Sequence, residues 1–293
     1  MKRLIPLFLL SLCMAFVSCN DEYDADSAQS VYVPVKGRHM VASVKTTENV
    51  QGREFVWEHK FSYDAHGRIK TINSDVKAYE RTVLGYLQCN IISNANYYYK
   101  GEGLDVVFDF KLDYPDYPSL NFNGGNTDSG SFNRAGVLAR FGSLELEYST
   151  TQLQRAYSTG DVYYDVLGDG NGNVAGYNVY NTHTGDLIES SVRHFYSSSI
   201  KNNTNFDFSA YFGYWGVEQA VGLKNKVPYY AVYQLAAFGM MGTTSAYLPF
   251  GVLKTNESGA SVQDYGDWSF DKKERPVLYV DTEGRKSEFT YYD

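Results

Sequence analysis

The chain has 293 residues, with 26 Lys and Arg against 34 Asp and Glu, a formal net charge of −8 and a pI near 5.2. This balance argues against nucleic acid and against charge-driven adhesion to anionic lipid, since both need clustered cations. Three cysteines, and five histidines without an H-x-H or H-E-x-x-H grouping, argue against a disulfide framework and a zinc centre.

Residues 1–18 read as a secretory signal: Lys2 and Arg3, then the apolar run Leu4 to Val17, too short for a bilayer span of about 20 residues. The run ends in Ser18 and Cys19, and "FVSC" resembles the lipobox of bacterial lipoproteins, with Phe16 where Leu is usual. The resemblance implies that Cys19 is lipidated and becomes the new N-terminus. Asp21, Glu22, Asp24 and Asp26 follow, so 19–36 is expected to be an acidic, solvated tether. That acid burst resembles the export signal that sends lipoproteins to the exterior face of the outer membrane. Membrane attachment is thus expected through the N-terminal lipid alone.

Residues 37–293 are expected to form a single antiparallel β domain. In "EFVWEHKFSYD", Phe55, Trp57, His59, Phe61 and Tyr63 alternate with polar residues. "LDVVFDFKLDY" (104–114) and "SLELEY" (143–148) repeat the pattern. Period two of this kind predicts strands with one dry and one wet face. "YDAHGR" (63–68), "NRAG" (133–136), "GDGNGN" (168–173), "NTHTG" (181–185) and "DTEG" (281–284) read as hairpin turns. The prolines of "DYPDYPS" (113–119) end a strand, and the Asn, Gly and Ser run 121–131 reads as a loop. One or two short helices are expected around 207–241, the first capped by Asp207.

"FSYDAHGRIKTI" and "WSFDKKERPVLYVDTEGRKSEFTYY" resemble a family of secreted bacterial lipoproteins known as a domain of unknown function with a porin-like fold. F-x-Y-D-x-x-G-R-I also resembles the YD repeats of large bacterial shell proteins, although Glu274 stands where the second copy would carry Gly. The resemblance implies an all-β fold, a large curved antiparallel meander that is either open or barrel-like, and assigns no activity. A membrane-spanning barrel is disfavoured, because the wet strand faces carry Glu, Asp and Lys where lipid would demand apolar residues.

No nucleophile elbow, phosphate loop or dinucleotide fingerprint occurs. "DGNGNV" (169–174) starts like a calcium loop but has Val174 at the sharp-turn Gly and Tyr180 at the bidentate Glu, so a hairpin is preferred. No cofactor and no metal are expected. Cys89 reads as a buried apolar residue and His59 as a core histidine. Glu145 and Glu147 lie two apart on one wet face, which identifies no catalytic pair.

The remaining feature is tyrosine, 27 in all, often as neighbours. Neighbours in a strand face opposite ways, so Tyr98, Tyr164 and Tyr230 are candidate ligand contacts on the wet face. Cross-strand ladders that stiffen the sheet are the simpler alternative. The resulting expectation is a surface-exposed lipoprotein acting as a non-catalytic binding or scaffold module for a glycan or an envelope protein. Its rivals are a glycan hydrolase with acids from separate strands and a barrel that holds an apolar ligand.

Overall fold

The structure is a computed structural model and describes residues 32–34, 39–82, 85–149, 152–158, 162–170, 173–181, 183–189, 192–211, 235–242, 244–255 and 261–293. The signal segment, Cys19 and Tyr230 lie outside the described residues, as does most of the expected tether.

Seventeen strands among these residues belong to one sheet. They are β1 (Val41–Val50), β2 (Arg53–Tyr63), β3 (Ile69–Thr82), β4 (Gly85–Lys100), β5 (Gly103–Asp113), β6 (Phe122–Phe132), β7 (Leu138–Phe141), β8 (Leu144–Ser149) and β9 (Gln152–Ser158). The chain continues with β10 (Val162–Gly168), β11 (Val174–Asn181), β12 (Leu187–Glu189), β13 (Val192–Lys201), β14 (Tyr247–Thr255), β15 (Ser261–Phe270), β16 (Pro276–Asp281) and β17 (Lys286–Tyr291). Consecutive strands pair antiparallel from β1 to β11. β11 pairs with both β12 and β13, and pairing in sequence resumes to β17. β17 then pairs with β1, Val44 opposite Phe289, so the meander closes into a barrel with β12 as a side branch.

Alternation explains which face points in. In β4, Leu87, Cys89, Ser93, Ala95, Tyr97 and Tyr99 are buried, while Gln88, Asn90, Asn94, Asn96 and Tyr98 are only half-buried. The register continues this face across neighbours, with Phe61 opposite Ile72, Ile72 opposite Ala95 and Ala95 opposite Phe108. A one-residue slip would turn that whole set outward, so the apolar pattern pins the register.

A ring of this many strands is wide enough for a channel. Here its interior holds part of the insertion between β13 and β14. Phe206 and Phe238 from that insertion meet Phe61 of β2 at ring distances of 5.9 and 4.9 Å. Phe208 contacts Trp268 of β15 and Phe289 of β17, both at 5.0 Å. On another wall, the Leu138 amide of β7 donates to the Met240 carbonyl. Short helical turns at 208–211 and 235–237 belong to this plug. Asp207 caps the first, accepting the Ser209 and Ala210 amides at 2.9 and 3.1 Å, as its sequence position predicts. Tyr32, within the stretch expected as tether, is a core residue. Its ring stacks on Tyr99 and Phe132, and its hydroxyl donates to the Phe238 carbonyl at 2.7 Å.

Three turns share one construction. Asp64, Asp271 and Asp281 each use one carboxylate oxygen to accept backbone N–H groups two and four residues on. The other oxygen meets the Nε of Arg68, Arg275 and Arg285 at 2.5, 2.7 and 2.8 Å. The residue before each arginine is left-handed: Gly67 at φ 79°, Glu274 at 58° and Gly284 at 81°. Glu274 therefore departs from the sequence unit without changing its geometry. The "DGNGNV" segment closes similarly, Asp169 accepting the Asn173 amide and Nδ2, which makes it the expected hairpin.

The loop expected at 121–131 is instead β6, ten residues of which register against β5. Asn, Gly and Ser have poor strand propensity, but tertiary pairing overrides it. Gly125 is there for closeness: a Cβ would sit 2.7 Å from the Asp109 carboxylate and 2.8 Å from the Phe108 carbonyl.

Candidate functional site

The outer wall carries exposed polar residues on β1, β2, β3, β5, β8, β15 and β17. Lys45, Lys60, Asn73, Asp109, Lys111, Glu145, Glu147, Asp267, Lys286 and Glu288 all face outward and are exposed. A transmembrane barrel carries an outward apolar band, and these positions do not supply one.

Across β2 to β6 that wall is indented by a groove of about 510 Å³. Register explains its form. One outward row runs Lys60, Asn73, Asn94, Asp109 on successive strands, and a second runs Glu58, Asp75, Ile92, Lys111, Asn123. Between them lies the row His59, Ser74, Ser93, Phe110, Gly124, whose side chains belong to the inward face. The groove is lined by both outward rows and by Ser74, Ser93, Phe110 and Gly124 of the middle one. It therefore crosses the strands, with middle-row residues between two polar walls.

Its chemistry is that of hydrogen bonding. The walls offer three amides, three carboxylates and two ammonium groups, with Ile92, 54% exposed, as an apolar spot. Glu58 and Lys60 form an exposed pair at 3.3 Å. Beneath, buried His59 meets Ser74 Oγ through Nδ1 at 2.8 Å, and desolvation lowers its pKa to about 4, so it is neutral. On the inward face of β6, partial burial raises the Asp128 pKa. No group of three or more His, Cys, Asp or Glu suited to a metal occurs among the described residues.

Of the residues anticipated as ligand contacts, Tyr98 is on the outer face of β4, the same face as Asn94, but it does not line the groove. Its neighbours Tyr97 and Tyr99 fill the core, the Tyr99 hydroxyl donating to the Ile69 carbonyl. Tyr164 belongs to β10, opposite Ala156 and Val179, several strands around the ring from Tyr98. Cys89 is buried on the inward face, as anticipated. The groove residues went unnoticed in sequence because each is an ordinary wet-face polar residue. Only aligning the hairpins in register lines them up.

No family model matches the chain, and no curated protein does. Solved structures do. A porin-like protein from Bacteroides uniformis ATCC 8492 aligns with a TM-score of 0.50 at 10% identity, covering 89% of this chain and 100% of that one. A second porin-like protein, from Bacteroides vulgatus ATCC 8482, aligns at 0.41 and 12% identity, covering 87% of this chain and 99% of that one. The first likeness is one of fold. The chain is a large, closed, antiparallel all-β protein of porin-like architecture, with aromatic residues of the β13–β14 insertion packed in its interior.

Proposed function

We propose that the chain is a non-catalytic binding module, lipid-anchored through Cys19 and facing the exterior at the outer membrane, whose outer-wall groove takes a glycan. The observation that carries this reading is the pair of cross-strand rows. Amides offer both donors and acceptors, carboxylates accept and ammonium groups donate, an array suited to the alternating hydroxyls of a sugar. The porin-like architecture supports a barrel. The charged residues of the outer wall and the aromatic residues packed inside support one that works in water. With charged residues on the outward faces of the described strands, this reading assigns attachment to the lipidated N-terminus.

A glycan-array screen of the mature chain tests the ligand, with product analysis of every hit. Binding with the glycan unchanged is expected, and Asn94→Ala with Asp109→Ala should abolish it. Silence across plant, host and microbial glycans removes the glycan and leaves an envelope protein as partner. Labelled palmitate should enter the wild type and not Cys19→Ala; if that variant stays on membranes, the anchor is wrong.

The hydrolase reading retains one observation: Glu58 and Asp75 are cross-strand partners in one groove, with Asp109 nearby. A general acid needs apolar enclosure, however, and these rows are open to water. Cleaved products on any array hit would establish hydrolysis.

A further inference from the structure

We infer that Phe195, Phe250 and Tyr265 form a stacking platform for a pyranose ring of a neutral polysaccharide, separate from the groove. The inference rests on the outer wall being a glycan surface but uses none of the groove's residues.

The three rings come from three adjacent strands. Phe195 of β13 is opposite Gly251 of β14, and Gly251 is opposite Tyr265 of β15, so two aromatic residues flank a glycine in one outward row. The glycine is required. A Cβ on Gly251 would lie 2.5 Å from the Tyr265 ring, which instead lies over the bare backbone. The third ring arrives by an irregularity. Register shifts between Phe195 and Tyr196, and Phe250, next to Gly251, is exposed while Leu248 and Val252 are buried. Bulges commonly re-aim a side chain in this way.

The outcome is an apolar patch of three rings. Phe250 and Tyr265 are parallel within 9° at 5.9 Å, and Phe195 tilts against both at 6.2 and 5.9 Å. Tyr265 is held further by Gln263, whose Nε2 donates to its hydroxyl. Phe250 and Tyr265 remain 37% and 40% exposed.

Three considerations point to a sugar. The open apolar area of three such rings is roughly 200 Å², taking about 150–250 Å² per ring, far below the roughly 800 Å² per partner of a stable protein interface. The rim is polar: Gln263 and Asp267 flank Tyr265 along β15, and Ser197 and Ser199 follow Phe195 along β13. A sugar presents that combination, an apolar C–H face bordered by hydroxyls. Asp267 and the net charge of −8 favour an uncharged polymer over an anionic one.

The test is affinity electrophoresis of the full mature chain through gels containing mixed-linkage β-glucan, xylan or α-mannan, beside chondroitin sulfate. Wild type should be retarded by at least one neutral polymer and not by chondroitin sulfate. Phe250→Ala, Tyr265→Ala and the shape-keeping Phe250→Leu and Tyr265→Leu should each weaken retardation about tenfold or more with unchanged circular dichroism and melting. The groove variant Asn94→Ala with Asp109→Ala should retain it. Retardation lost only in the groove variant overturns the platform and upholds the groove. Ring variants that bind like wild type, or retardation by chondroitin sulfate alone, overturn the platform. No retardation in any neutral gel overturns both.

Discussion

Arg68 and Asp64 form an ion pair at 2.5 Å with both side chains sealed from water, at 2% and 0% exposure. The guanidinium also stands over the Tyr99 ring, 4.7 Å from its centroid. The same turn at Asp271 and Arg275 has partners at 24% and 13% exposure, so identical bonding is tested in two solvents.

Arg68→Met should therefore cost about 3–5 kcal/mol, because it strands a buried carboxylate. Arg275→Met should cost much less, since water reaches Asp271. Urea midpoints of the two variants, compared with wild type, measure the difference. Equal losses would refute the solvent argument.

Glu274 occupies a left-handed position at φ 58° that its counterparts Gly67 and Gly284 fill without strain. Glu274→Gly should stabilise the fold by about 0.5–1 kcal/mol, relief of a non-glycine left-handed residue partly offset by greater chain freedom in the unfolded state. The Asn203 Nδ2 bond to the carbonyl of residue 274 does not use the side chain and should persist. Thermal melting checks this as a rise of a few degrees.

His59 titrates near 4 in the folded chain because burial disfavours its cation, against about 6.5 when unfolded. Between these values the unfolded chain binds more protons, so stability falls as pH drops from 6.5 to 4, by roughly 3 kcal/mol at most, and is level on either side with respect to this group. His59→Gln should remove that component from a plot of denaturant midpoint against pH.

Tyr32→Ala should cost about 3–5 kcal/mol by emptying the slot between Tyr99 and Phe132. Tyr32→Phe, which keeps the stack and deletes only the bond to the Phe238 carbonyl, should cost about 1 kcal/mol. Chemical denaturation distinguishes the two losses.

How much could be read in advance follows from how local each cause is. The inward set of β2 and β5 was legible because period two lies along the chain. The Asp64 turn was legible because its parts sit within five residues. The opposite faces of Tyr97, Tyr98 and Tyr99 follow from the same rule. β6 was missed because its Asn, Gly and Ser residues are held by β5 and not by their own preference. Closure of the barrel depends on Val44 meeting Phe289, a pairing with no local trace. The two groove rows and the re-aimed Phe250 are products of register between strands, which a linear reading does not display.

The slot that holds Tyr32 fixes a length. Thirteen residue-to-residue steps lead from Cys19 to Tyr32, counted from their numbers, and a fully stretched chain of that size reaches about 45 Å. Whatever surface fastens position 19 can thus keep the barrel at most that far away. Any pull along this leash would reach the Tyr32 slot and load wall and plug together, through the rings of β4 and β6 and the bond to the Phe238 carbonyl.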